Sequence, residues 1–155
     1  MRRTKPEKRV IEPDLRFNNV NVQVLINHVL IKGKKSTATS IVYGALTIVE
    51  EKTQKNPAEV LDMAFKNVGP VMEVRPRRVG GATYQVPMEV EPDRKLTLAI
   101  RWILGATRSR TGKSFAEKLS AEILDAANNQ GSAIKKKEET HKMAEANRAF
   151  SHFRF

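Results

Sequence analysis

The sequence predicts a mainly α fold. It reads as a single domain of about five packed helices plus a sixth, C-terminal helix, with a protruding two-stranded β-hairpin and a basic N-terminal arm. Three observations predict it. Five segments carry apolar residues at helical spacing, bounded by caps and breakers. One stretch, 71–90, instead alternates with period two about Gly80-Gly81. And 28 Lys+Arg against 17 Asp+Glu, a net charge of +11, gather in segments poor in acid. A chain of 155 residues suits one core. The expected organisation is an arm over 1–16, a helical body over 17–131 that includes the hairpin 71–90, and a basic C-terminal helix with an aromatic tail over 132–155.

The first sixteen residues are basic, hold Pro6 and Pro13 and show no sustained period. They read as an arm that orders on its partner. Asn18 or Asn19 then caps a helix over 20–31 with Val22, Ile26, Val29 and Leu30 on one stripe, ended by Gly33 as the residue past the cap. Ser36 is expected to cap a second helix to about Lys52, with Ala38, Ile41, Val42, Ala45 and Val49 inward. Asn56-Pro57-Ala58-Glu59 is a helix start, because Asn caps and Pro at the first position gives up an N–H that would have no partner anyway. Gly69-Pro70 stops that third helix.

The hairpin follows. Met72, Val74 and Pro76 alternate with Glu73, Arg75 and Arg77; Tyr84, Val86, Met88 and Val90 alternate with Gln85 and Glu89. If both apolar sets share a face, Val74 pairs with Val86 and Met72 with Met88, which requires an odd, three-residue loop. Pro76 and Pro87 make this an edge ribbon. Its tip carries Arg75, Arg77 and Arg78 and no acid, a pattern suited to phosphates. Tyr84 fits packing or base stacking equally.

Pro92-Asp93 opens a fourth helix to about Thr107, with Leu96, Ala99, Ile100, Ile103 and Leu104 inward and Trp102 beside them as core. From Arg94 to Ala116 there are six basic residues and no acid. Ser114 to Glu117 matches a capping box and starts a fifth helix with Leu119, Ile123, Leu124 and Ala127 inward. The sixth segment, capped by Ser132, is polar almost all round and is expected to dock on a partner. The tail Phe150-Ser151-His152-Phe153-Arg154-Phe155 has the means to stack on bases.

Several function classes drop out. There is no cysteine, so disulfides and thiolate zinc sites are excluded and a reducing compartment is expected. No apolar run approaches the roughly 20 residues of a membrane span, and no apolar core follows the basic start as a secretory signal requires. Thr111-Gly112-Lys113-Ser114 imitates the end of a phosphate-binding loop, but Thr107 stands where that motif needs glycine. His28, His141 and His152 have no ligand spacing. No nucleophile and base pair stands out, and no cofactor or metal is implied. What remains is binding to a polyanion. Folded RNA, recognised by shape from several sides, fits the scattered basic elements. The alternative is an architectural protein gripping duplex DNA with the hairpin.

Four stretches carry a resemblance: GKKS at 33–36, MEVRPRRVGGATYQVPMEV at 72–90, AIRW at 99–102 and KKKEETHKMAEANRAFSHFRF at 135–155. Through them the chain resembles the bacterial-type family of small ribosomal subunit protein seven over nearly its whole length. The resemblance implies a cytoplasmic protein of the small ribosomal subunit, in a bacterium or a bacterium-derived organelle, that binds and does not catalyse. It implies a primary binder of the 3′ major domain of small-subunit rRNA that nucleates head assembly. It also implies a place near the exit-site tRNA and mRNA, with small-subunit proteins nine and eleven as neighbours. By position, the implied rRNA contacts are Arg2, Arg3, Lys8 and Arg9 of the arm, Lys34 and Lys35 of the loop, Arg75, Arg77 and Arg78 of the hairpin, and Arg94, Arg101, Arg108 and Arg110 about the fourth helix. The implied tRNA contacts are Arg78, Val79, Gly80, Gly81 and Ala82 at the tip, and Lys136, Lys137, Lys142 and Arg148 along the C-terminal helix. Lys32, Pro76 and Phe155 depart from the family pattern.

Overall fold

Helix α5 (Phe115–Ala127) is the central packing element of the computed structural model, which describes residues 9–153. It lies against α2 (Lys35–Thr53), α3 (Pro57–Val68) and α4 (Pro92–Ser109), and α1 (Val20–Val29) closes the bundle over α2 and α4. The core between them is aliphatic. Leu25, Ile26, Leu46, Leu61, Ile100, Ile103, Leu119 and Ile123 are each no more than 1% exposed. The predicted mainly α domain with one hairpin is the observed fold.

Side-chain caps read from the sequence explain three of the six helix starts among the described residues. The Asn19 side chain accepts the amide of Asn21, Asn56 accepts Ala58 with Pro57 in the first turn, and Ser114 accepts Glu117. The start of α2 differs from the expectation. Ser36 lies inside its first turn, the cap position is Lys34, and no side chain caps it. The turn is made instead by successive left-handed residues, Lys32 (φ 53°) and Gly33 (φ 76°).

The ribbon register also differs. β1 (Met72–Val79) pairs antiparallel with β2 (Ala82–Glu89) through a two-residue loop, Val79 opposite Ala82. Gly80 and Gly81 both hold positive φ, 58° and 87°, as the tight hairpin turn whose twist matches the strands requires. Val74 therefore faces Pro87, not Val86, and Glu73 faces Met88, Arg75 faces Val86 and Arg77 faces Tyr84. The charged set of β1 thus shares a face with the apolar set of β2. This is tolerable because Glu73, 7% exposed, is bound by Arg75 at 2.6 Å and by Arg94 of α4 at 3.3 Å.

The C-terminal segment corrects a further expectation. α6 (Ser132–Ala146) docks on its own chain, against α3, α4, α5 and the hairpin. A narrow stripe of Ala133, Ile134, Thr140 and Ala144 is buried. Polar contacts complete the seat: Glu122 accepts the Ala133 amide at 3.0 Å, and the Lys137 ammonium donates to the Asn67 carbonyl at 2.6 Å. A 3-10 turn over Arg148–Phe153 then folds back on β2. Phe150 and Phe153 stack on Tyr84 with ring centroids 5.3 and 5.0 Å away. Tyr84 and two of the tail aromatics therefore meet one another. A two-stranded ribbon is marginal alone, and this cluster braces it from outside.

Candidate nucleic-acid interface

The basic residues singled out from sequence fall into exposed groups and engaged groups. Arg2, Arg3 and Lys8 lie outside the described residues. Lys34 and Lys35 are exposed on the loop that the left-handed Lys32-Gly33 pair turns outward. Lys35 and Arg9 line one cleft of ≈ 520 Å³ between the arm and helices α1 and α2. At the hairpin tip Arg78, Val79, Gly80, Gly81 and Ala82 are all exposed, whereas Arg77 is half-buried opposite Tyr84.

On α4, Arg94, Arg101 and Arg108 recur every seven residues, so they form one stripe about 21 Å long. Arg101 and Arg108 are exposed and make no ion pair among the described residues. Arg94 is partly committed to Glu73. Arg110 is committed altogether. It binds Glu122 at 2.6 Å and also Asp125, tying the end of α4 to α5. Along α6 and the 3-10 turn after it, Lys142 is exposed, Lys136 pairs with Glu139, Arg148 pairs with Glu145, and Lys137 is held on Asn67. The pairs on α6 are solvated and worth little, so phosphates can compete for those cations.

Four residues that position these groups were not anticipated. Asp14 is 3% exposed. It accepts the amides of Arg16 and Phe17 at 3.0 and 2.9 Å and the hydroxyl of Tyr43. It pins the arm to α2 and sets the Arg16 guanidinium 5.1 Å from the Phe17 ring centre and 5.7 Å from that of Tyr43. The turn-forming pattern Pro13-Asp14 was its only local signal. Glu73 and Glu122 gave none, because their partners are distant in sequence.

The fourth is His141, whose Nε2 accepts the Val71 amide at 3.0 Å, where the chain enters β1. That acceptor exists only in the neutral ring. Burial, and then the neighbouring Lys137 and Lys95, hold its pKa below the usual 6.5. The folded state thus binds fewer protons than the unfolded one in mild acid. The histidine's contribution is complete above about pH 6.5 and is lost as pH falls toward the lowered folded pKa. We expect protection of the Val71 amide from hydrogen exchange to fall as the pH is lowered below the usual imidazole value of 6.5, in step with the imidazole NMR titration. Protection that does not follow the titration would remove His141 from the hairpin base.

A helical body that displays a glycine-tipped basic ribbon, a basic loop and an arginine stripe defines a protein of the polyanion-binding class. Comparison with known proteins narrows the class. The family model described as ribosomal protein S7p/S5e matches residues 1–148. Curated relatives share the whole length. A "Small ribosomal subunit protein uS7" of Caldanaerobacter subterraneus subsp. tengcongensis is 61% identical over 148 residues, 96% of this chain and 95% of the relative. The Thermotoga maritima protein of that name is 59% identical over 155 residues, all of both chains. The one from Azorhizobium caulinodans is 56% identical over 154 residues, 99% of each. The chain belongs to the ribosomal protein S7p/S5e family. The duplex-DNA alternative finds no support in this relationship.

Proposed function

We propose that this chain is a structural component of the small ribosomal subunit that binds the 3′ major domain of its rRNA and nucleates assembly of the head. The observation that carries the reading is the end-to-end match to proteins named for the small subunit, in a chain whose exposed cations sit on a loop, a ribbon tip and a helix stripe. Its work is binding and not catalysis. The tip 78–82 and the C-terminal helix then serve the exit-site tRNA and the mRNA, and small-subunit proteins nine and eleven are the protein neighbours. In this reading the arm 1–16, the body 17–131 and the segment 132–155 act as three contributors to one footprint. Arg110 belongs to the body's internal clamp, and Arg94 serves both the clamp on Glu73 and the α4 stripe.

The test is binding to a 3′ major-domain rRNA fragment against duplex DNA of equal length over a salt series. Preference for rRNA that persists at about 0.2 M salt is expected, with a slope of about −0.7 to −0.9 per phosphate contact. Equal affinities that collapse together would reduce the chain to a polycation. Replacing Arg77 and Arg78 together by alanine is expected to weaken the rRNA complex at least about ten-fold and lower the salt slope by roughly two contacts. The helical body should stay folded, with its far-ultraviolet circular dichroism unchanged. Unaltered affinity would confine the hairpin to a role toward tRNA.

A further inference from the structure

A groove of ≈ 280 Å³ between α4 and α6 brings Arg101, Trp102, Gly105 and Ser109 together with Ser132 and Lys136. Its two cations come from different helices. Arg101 makes no ion pair among the described residues, and Lys136 is held only by exposed Glu139 on its own helix. Trp102 packs on the core with part of its surface and lines the groove with another part. The same side chain borders a second groove that leads to Val74 and Gln85 of the hairpin. Trp102 thus stands where two openings meet.

We propose that this groove holds one unstacked nucleotide of the bound RNA, its phosphate between Arg101 and Lys136 and its base against Trp102. The inference rests on the rRNA-binding reading above. Paired bases in an A-form helix are stacked inside the duplex and reach no such groove, so the occupant is a bulged or single-stranded position. Base–aromatic stacking beside a basic track is the way proteins hold such positions with little sequence preference. The stripe of Arg94, Arg101 and Arg108 supplies the track, and Ser109 and Ser132 complete the lining of the groove.

Trp102 is the only tryptophan in the chain, so emission from the full-length protein reports on this groove. The rRNA fragment, carrying an end label for anisotropy, is titrated against the protein while tryptophan emission is recorded. Quenching with the same midpoint as the anisotropy is expected. The blocking variant is Gly105→Leu. A Cβ there meets no atom within 4 Å, so leucine can enter the exposed groove without displacing the core, and leucine is the better helix former, so the fold should hold. Gly105→Leu is expected to abolish the quenching and weaken the complex about ten-fold. Binding seen by anisotropy with unchanged emission, or a Gly105→Leu protein that binds like the parent, would overturn the groove and leave the rRNA reading standing. No preference for the fragment over duplex DNA would remove both.

Discussion

Replacing Arg110 by alanine is expected to lower the unfolding free energy by about 3–5 kcal/mol. Its partner Glu122 is 0% exposed. Losing the guanidinium leaves a carboxylate uncompensated inside the protein, held among the described residues only by the Ala133 amide. The damage spreads because Glu122 joins three elements: its own helix α5, the end of α4 through Arg110, and the start of α6 through Ala133. Urea denaturation checks this, with Arg108→Ala as the comparison, since Arg108 is exposed and should cost under about 0.5 kcal/mol. Equal losses in the two variants would mean that the clamp contributes nothing. The double variant Arg110→Met with Glu122→Leu should recover only part of the loss, because it removes the buried charge but leaves the buried Ala133 amide without its acceptor.

Asp14→Ala is expected to cost about 3 kcal/mol, through two amides and one hydroxyl left without their shared acceptor. Here the effect is local. The arm should come off α2 while the helical core stays folded, so hydrogen exchange of Arg16 and Phe17 should rise far more than that of Leu46. Tyr43 offers a second readout. Donation of its hydroxyl to Asp14, and then burial, raise its pKa above the usual 10.0. In Asp14→Ala the phenol should ionise at lower pH, seen in ultraviolet absorbance. An unshifted phenol titration would show that Asp14 does not hold Tyr43 in solution. Because Arg9 and Lys35 line the cleft beside this anchor, rRNA affinity should fall as well.

These two carboxylates also mark where the sequence stops being legible. Asn56-Pro57 could be read directly, because a cap and its amide are two residues apart. The five apolar stripes were legible for the same reason, since helical spacing repeats within a few residues. Glu122 meets Arg110 and Ala133 only after α4, α5 and α6 have packed. The hairpin shows the limit differently. Gly80-Gly81 announced the turn, but the loop length sets the register, and a burial pattern of valines and methionines argued for the wrong one. The two-residue loop puts Glu73 on the apolar face of β2, where Arg75 and Arg94 compensate it, the latter from 21 positions away. α6 was misread because its buried stripe is small, alanine and threonine with one isoleucine, and such a stripe has little apolar contrast. Among the basic residues, type and spacing located the exposed positions but could not tell Arg101 from Arg110. Only the placement of carboxylates separates a surface cation from an internal one.

The Tyr84 stack has a consequence for synthesis. Phe150 follows Tyr84 by 66 positions, which at about 5–20 residues per second is roughly 3–13 s of elongation. During that interval the ribbon can leave the exit tunnel with its turn complete but its brace still unmade. A nascent chain therefore reaches its finished ribbon geometry late, after the helical body has had time to form. The ribbon thus gains its brace only near the end of synthesis, while the exposed loop at Lys34 and Lys35 emerges much earlier.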